Sequence, residues 1–429
     1  MDKLIISGPA KLRGEVTISA SKNASLPILT ATLLSTTPVT FKSLPKLRDV
    51  STLFKLLKNL GATINSDDQN ELTTINTTPI SSLEATYDLV KTMRASFLVM
   101  GPLLARYGKA KVSLPGGCAI GARAIDIHLE ALTKMGAKIN LQGGYVEATL
   151  EHGPKRLQGN EIYLSFPSVG ATENLMMAAT LAHGTTVIKN AAQEPEIADL
   201  GEFLNRMGAK VQGAGSAEVI IEGQESLLFS GSPYVVIPDR IESATYLIAG
   251  VMTNSEITIH NINAKHLDAV IATLKDMGAK LEIDYDKKII KTLLHQGLHG
   301  THVATAPYPG FPTDVQAQLM ALTTIAQTPS VITEHIFENR FMHVPELNRM
   351  GANIVLKGNS AFIDGQSTLK SAPVMCTDLR ASAALVLAAL AAEGQSEVCR
   401  IYHLDRGYEK IDQKLQTLNV DITRVPGDN

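Results

Sequence analysis

Apolar residues fall into two alternating kinds of run along this chain. One kind is apolar on every side, as in Leu26 to Leu34, Leu175 to Ala182 and Ala381 to Ala391, and a helix without a polar face is buried throughout. The other keeps a polar face and ends on a recurring pattern: Asn59-Leu-Gly-Ala-Thr-Ile, Lys134-Met-Gly-Ala-Lys-Ile, Arg206-Met-Gly-Ala-Lys-Val, Asp276-Met-Gly-Ala-Lys-Leu and Arg349-Met-Gly-Ala-Asn-Ile, with Thr417-Leu-Asn-Val-Asp-Ile as a degenerate copy. Gly61, Gly136, Gly208, Gly278, Gly351 and Asn419 are 75, 72, 70, 73 and 68 residues apart. Such a period marks an internal repeat. Gly and Asn are the residues that most readily close a helix in the left-handed conformation, and the alternating residues that follow open a strand. Each unit therefore reads as buried helix, strand, amphipathic helix, strand. Six of them, in two groups of three, predict two α/β domains with helices enclosed by sheets.

Aligning the repeats on the capping residue brings charged and polar side chains into register. Lys22, Arg94, Ser168, Arg240, Asp314 and Arg380 lie 39, 42, 40, 38, 37 and 39 residues before it, where each buried helix begins. Arg48, Arg123, Lys265, Arg340 and Arg406 lie 13, 13, 13, 11 and 13 residues before it, with Glu196 in the third repeat. Taken singly, Asp314 reads as a first-turn acid, Asp378 as an N-terminal cap, and Arg94 and Arg240 as structural ion-pair partners. Solvated surface charges have no reason to keep register over six copies. Helix N-termini carry partial positive charge and unpaired N–H groups, and with added cations they suit a phosphorylated or carboxylated ligand.

The 429 residues allow two domains of about 200 residues each. Hydrophobic residues at 45% and charged residues at 19% exclude global disorder. A net charge of −3 gives no support for a nucleic-acid or anionic-membrane partner. The three cysteines, Cys118, Cys376 and Cys399, are not a disulfide framework, and their odd count points to free thiols in the cytoplasm. The Leu4-Ile5-Ile6 run is too short for a signal-peptide core and reads as a strand. The apolar stretch Ala381 to Ala392 is shorter than the roughly 20 residues that span a bilayer, so no membrane insertion is expected.

Leu114-Pro-Gly-Gly-Cys-Ala-Ile-Gly-Ala-Arg123 sets one cysteine among three glycines. Glycine-rich loops permit closure over a ligand. The loop is not a Walker A sequence, the chain has no GxGxxG fingerprint, and HExxH and CxxC patterns are missing. No cofactor and no metal are expected. His343 and His403 read as core or rim residues, and Cys399, within Glu397-Val-Cys, reads as a small buried hydrophobe. Cys118 differs, because Arg123 five residues on favours a thiol pKa lowered from about 8.5 toward neutrality. Such a thiol donates a proton or acts as a nucleophile.

Ser21-Lys22-Asn23, Lys91-Thr-Met-Arg94-Ala-Ser, the Leu114 to Arg123 loop, Ser168-Val-Gly-Ala-Thr, Pro238-Asp-Arg-Ile-Glu, Phe311-Pro-Thr-Asp314, Phe337-Glu-Asn-Arg340-Phe-Met-His-Val, Thr377-Asp-Leu-Arg380-Ala-Ser and Asp405-Arg406-Gly-Tyr-Glu together resemble the motifs of the enolpyruvyl transferases. Among these they resemble the UDP-N-acetylglucosamine 1-carboxyvinyltransferase family, over essentially the whole length. The resemblance implies a two-domain inside-out α/β barrel of six repeats, with substrates between the domains. It places residues 1–21 with 238–429 in a C-terminal catalytic domain, and 22–237, with the loop 114–126, in the other. It implies transfer of the enolpyruvyl group of phosphoenolpyruvate to UDP-N-acetylglucosamine, the first committed step of peptidoglycan synthesis, by a monomer acting without a cofactor.

Carried over by motif, Lys22, Arg123 and Arg406 hold the phosphate of phosphoenolpyruvate, and Arg340 and Arg380 face its carboxylate. Asn23, Arg94, Arg123, Ala124, Ile125, Asp126, Ile127, Ser168, Val169, Asp314 and Ile336 contact the sugar nucleotide. Cys118 is the implied acid and Asp314 the implied base, with Lys22, Asp378 and Arg406 completing the catalytic set. Some members have a lysine where this chain has Phe166, so a cationic contact to the diphosphate is lost there. The sister family acting on shikimate 3-phosphate lacks the glycine-framed cysteine and the Phe337 to His343 segment. A silent, sugar-nucleotide-sensing relative is the alternative of another class.

Overall fold

Six buried helices organise the structure, a computed structural model that describes residues 2–114, 125–150, 155–366 and 368–426. The chain divides into two units, one holding residues 2–19 and 238–426 and the other the described residues from 20 to 237. It passes between them at Ser19/Ala20 and at Ile237/Pro238. Ser21 thus belongs to the unit whose first buried helix, Lys22–Ala31, it caps, accepting from the Ala24 N–H.

In the unit from 20 to 237 the buried helices are Lys22–Ala31, Met100–Tyr107 and Val169–Ala179. In the other they are Arg240–Met252, Thr313–Thr323 and Leu379–Ala391. Every residue of Arg240–Met252 is buried, as are Leu379 to Leu390. Full burial of a Leu or Ile side chain contributes about 1.5–3 kcal/mol, so a helix with no polar face is stable only at the centre of its unit. Amphipathic helices such as Arg48–Leu60 and Pro195–Arg206 keep one face exposed.

Each unit also carries three four-stranded sheets with one topology. In the first repeat Val39–Lys42 pairs parallel with Tyr234–Val235 and antiparallel with Leu72–Asn76, which forms a hairpin with Thr63–Asp67. The repeat is therefore richer than helix, strand, helix, strand. A second hairpin strand and a short leading strand are added, and leading strands such as Glu84–Ala85 and Glu161–Tyr163 are too short to show a period. The capping residues are left-handed as their types require, from Gly61 at φ 112° to Asn419 at φ 64°.

The N-terminal segment completes the other unit twice. Arg13–Thr17 is the leading strand beside Glu256–His260. Asp2–Gly8 runs antiparallel to both Gly394–Cys399 and Ile422–Pro426, with Leu4 opposite Val398 on one side and Arg424 on the other. It fills the interior place that Leu72–Asn76 holds in the first repeat. Leu4 and Ile6 are fully buried.

Candidate active site

In the unit containing residues 238–426, the ends of two buried helices converge on one carboxylate. Asp314, second residue of Thr313–Thr323, accepts a hydrogen bond at Oδ1 from Arg340 Nη2 at 2.7 Å and at Oδ2 from Arg380 Nη2 at 2.9 Å. The two arginine side chains are 3% and 4% exposed, while Asp314 is 26% exposed. Two buried guanidinium groups share one carboxylate, the more open member of the cluster, and guanidinium groups so placed suit the carboxylate or phosphate of a ligand. Burial opposes the charge of Arg380, yet the adjacent Asp314 raises its pKa above the ordinary arginine value. Asp314 is thus more than a first-turn acid.

Beneath this cluster lies a polar network. Tyr408, buried, meets Thr245 Oγ1 at 2.9 Å and accepts from Gln318 Nε2 at 3.2 Å, while that amide also donates to the Asp314 carbonyl at 3.0 Å. The Arg380 guanidinium lies 5.9 Å from the centre of the Tyr408 ring. Burial raises the Tyr408 phenol pKa, with Arg380 working the other way. Asp378 caps Leu379–Ala391, its Oδ1 accepting from the N–H groups of Arg380 and Ala381 at 2.9 and 3.1 Å. His343 is fully buried; burial lowers its pKa to about 4, with Asp378 opposing and Arg340 reinforcing the shift, so the ring is neutral. Arg406 is half-buried at the end of the short helix Ile401–Arg406. The neighbouring Asp405 is held bidentately by Arg424 at 2.7 and 3.1 Å.

The unit from 20 to 237 carries the remaining described positions. Lys22 Nζ pairs with Asp49 Oδ2 at 3.2 Å, its side chain 13% exposed and that of Asp49 only 4%. The pair ties the start of Lys22–Ala31 to the first turn of Arg48–Leu60, while Asn23 is half-buried beside it. Ser168 caps Val169–Ala179 through its hydroxyl, 3.3 Å from the Ala171 nitrogen. Arg94 opens the short helix Arg94–Val99. It acts on His128, whose pKa is lowered to about 4 by burial first and by the Arg94 charge second. His128 Nδ1 meets Asn174 Nδ2 at 3.1 Å, and Asn174 Oδ1 accepts from the Gly101 N–H at 2.7 Å. That second bond orients the amide, so its nitrogen donates and the histidine proton sits on Nε2. Ile125 and Ile127 are half-buried and Asp126 exposed, where helix Asp126–Lys134 begins.

Not every residue in the repeat register joins these clusters. Arg48 and Lys265 are exposed, and Arg240 lies 5.7 Å over the Tyr308 ring. Ile336 is half-buried, four residues before Arg340. Cys118, Arg123 and Ala124 lie outside the described residues. The expectation for Cys399 is corrected: alternation along Gly394–Cys399 turns Ser396 and Val398 inward and leaves Cys399 partly exposed. Among the described residues Cys376 is the buried thiol, its pKa pushed up to about 12 by burial. Sequence reasoning missed Asp49, His128, Asn174, Gln318 and Tyr408. Asp49 adjoins a residue already in register and Tyr408 sits inside a recognised motif, whereas Asn174 and Gln318 carry no signal, being polar residues in apolar helices.

Among the described residues no group of three or more His, Cys, Asp or Glu is placed to hold a metal ion, and no helix is long and apolar enough to cross a membrane. The described clusters offer two buried guanidinium groups, a largely buried lysine and a partly exposed carboxylate. Comparison with known proteins identifies the family. The family model of EPSP synthase (3-phosphoshikimate 1-carboxyvinyltransferase) matches residues 6–415. A UDP-N-acetylglucosamine 1-carboxyvinyltransferase of Trichlorobacter lovleyi is 54% identical over 425 residues, covering 99% of each chain. One of Thermodesulfovibrio yellowstonii is 53% identical over 426 residues, covering 99% of this chain and 100% of the other. The crystal structure of the enolpyruvyl transferase NikO from Streptomyces tendae superposes with a TM-score of 0.89 at 26% identity, over 100% of this chain and 99% of that one. EPSP synthase from Acinetobacter baumannii, at 17% identity and a TM-score of 0.77 over 100% of both chains, shares the fold. Near-complete coverage at such identity, on this architecture, places the chain in the enolpyruvyl transferases, and it belongs to their UDP-N-acetylglucosamine 1-carboxyvinyltransferase family.

Proposed function

We propose that this enzyme transfers the enolpyruvyl group of phosphoenolpyruvate to the 3-hydroxyl of UDP-N-acetylglucosamine, releasing phosphate, in the cytoplasm, as the entry to peptidoglycan synthesis. The observation that carries the reading is Asp314 held between Arg340 and Arg380. Its carboxylate engages the guanidinium groups that a substrate carboxylate would take. A phosphoenolpyruvate carboxylate arriving there weakens the hold on Asp314 and leaves it free to accept the sugar hydroxyl proton.

Cys118 gives a proton to the methylene carbon of phosphoenolpyruvate, the sugar oxygen bonds to the adjacent carbon, and Asp314 takes the hydroxyl proton. The Cys118 thiolate then takes a proton back from the new methyl group as phosphate leaves the tetrahedral adduct, which restores the double bond, and the departing phosphate carries off the proton held by Asp314. Lys22, Arg123 and Arg406 carry the phosphate charge, Asp378 holds the Arg380 helix start, and Asn23, Arg94, Ile125, Asp126, Ile127, Ser168, Val169 and Ile336 hold the sugar nucleotide. Preorganised charge of this kind acts without reorganisation at the moment of reaction.

Phosphate release from phosphoenolpyruvate tests the reading. Release is expected with UDP-N-acetylglucosamine and not with shikimate 3-phosphate; the reverse would assign the sister reaction, and silence with both would leave a sensing role. Cys118→Asp is expected to keep part of the activity, because a carboxylic acid also donates a proton, and to lose labelling by thiol-directed epoxides such as fosfomycin. Undiminished labelling of that variant removes Cys118 from its role.

A further inference from the structure

Glu334 lies just past the strand Ser330–Thr333 and is 4% exposed. A buried carboxylate has a high cost unless its oxygens are satisfied, and four donors meet this one. Oε1 accepts from Thr305 Oγ1 at 2.8 Å and from the N–H groups of Ile336 and Phe337 at 2.7 and 3.1 Å. Oε2 accepts from Thr313 Oγ1 at 2.9 Å. The Thr305 hydroxyl in turn accepts from the His335 N–H at 2.9 Å.

These contacts close a ring through the site. Thr313 adjoins Asp314, Asp314 receives Arg340 at 2.7 Å, the Arg340 guanidinium lies 5.4 Å over the Phe337 ring, and the Phe337 N–H returns to Glu334. A carboxylate that merely anchored a loop would have no need to grip the start of another helix. Resting on the function proposed above, we infer that Glu334 is a positioning residue for the transfer. It sets Asp314, Arg340 and the Ile336 backbone in one register, so that the base and the groups that hold the two substrates move as one piece.

Thr313→Val removes one hydroxyl from the ring and leaves the loop bonds in place. It is expected to lower kcat about 10-fold, within the roughly 10²-fold that a misplacement of about 1 Å costs, and Thr313→Ser to restore it. Glu334→Ala, which strips all four acceptor contacts, is expected to lower kcat/KM for UDP-N-acetylglucosamine by on the order of 10²-fold. Glu334→Gln recovers most of that, because its carbonyl oxygen still accepts from Ile336 and Phe337 and its amide still meets the Thr313 hydroxyl. Melting curves accompany each variant. A Thr313→Val protein with a lowered melting point and wild-type kcat, or a kcat loss that Thr313→Ser fails to restore, overturns the inference; so does a folded Glu334→Ala enzyme with wild-type kcat and KM. If Glu334→Ala does not fold, the Thr313 pair decides. Wild-type protein inactive with both substrates would instead refute the function on which the inference rests.

Discussion

Asp314 keeps about a quarter of its side chain open while both its oxygens take charge-assisted hydrogen bonds from buried arginines. Replacing it by Asn keeps the shape and removes both the charge and the proton acceptor. Asp314→Asn is therefore expected to lower kcat by on the order of 10² to 10⁴-fold, read as phosphate release at saturating substrates; an unchanged kcat would take the base role away. His128 makes a second prediction at this scale. Its pKa in the folded chain is about 4 against 6.5 as the reference, so the unfolded chain takes up the proton first as pH falls. Its contribution to stability is complete above about 6.5 and is lost progressively toward pH 4. Urea unfolding of wild type against His128→Gln is expected to show wild type losing ground across that window; parallel curves would mean that the ring titrates normally. Single residues were unevenly legible. Lys22, Asp314, Arg340 and Arg380 announce themselves by register and motif, but the atoms they bind do not. Asp49 and Glu334 act through contacts with residues 27 and 21 positions away in sequence, which no local pattern encodes.

At the scale of elements, the helix ends were the most legible features, because a left-handed cap restricts residue type more tightly than any other position in the repeat. Gly208 sits at φ +92° with nothing within 4 Å of an added Cβ, whereas a Cβ on Gly61, at φ +112°, would lie 2.7 Å from backbone atoms of Pro79 and Ser81. Gly208→Ala is thus expected to cost only the conformational term, about 1–2 kcal/mol, and Gly61→Ala measurably more. Equal losses in chemical denaturation would show that the loop from Pro79 to Ser81 gives way. Short strands were the least legible. Glu84–Ala85 and Tyr234–Val235 have two residues each, and what makes them strands is the partner edge beside them rather than their own sequence.

Over the whole molecule, Asp2–Gly8 occupies an interior place in a sheet whose other strands begin more than 360 residues further along the chain. Leu4, fully buried there, is expected to lose about 2–5 kcal/mol of stability on replacement by Ala, and removal of residues 2–8 to leave the unit containing residues 238–426 unable to fold. A truncated chain with native circular dichroism and an unshifted melting curve would contradict this. The sequence by itself determined the six-fold repeat, the burial of six helices, the cation register and the family. Each of these is local or periodic, written in residue type at fixed spacing. Only the tertiary structure decided that the chain's first strand completes the sixth repeat's sheet, that Asp314 is gripped by two arginines, and that Glu334 joins their supports. Those outcomes depend on which buried polar groups meet across distant segments, where hydrogen-bond geometry and the cost of burying charge choose the partners.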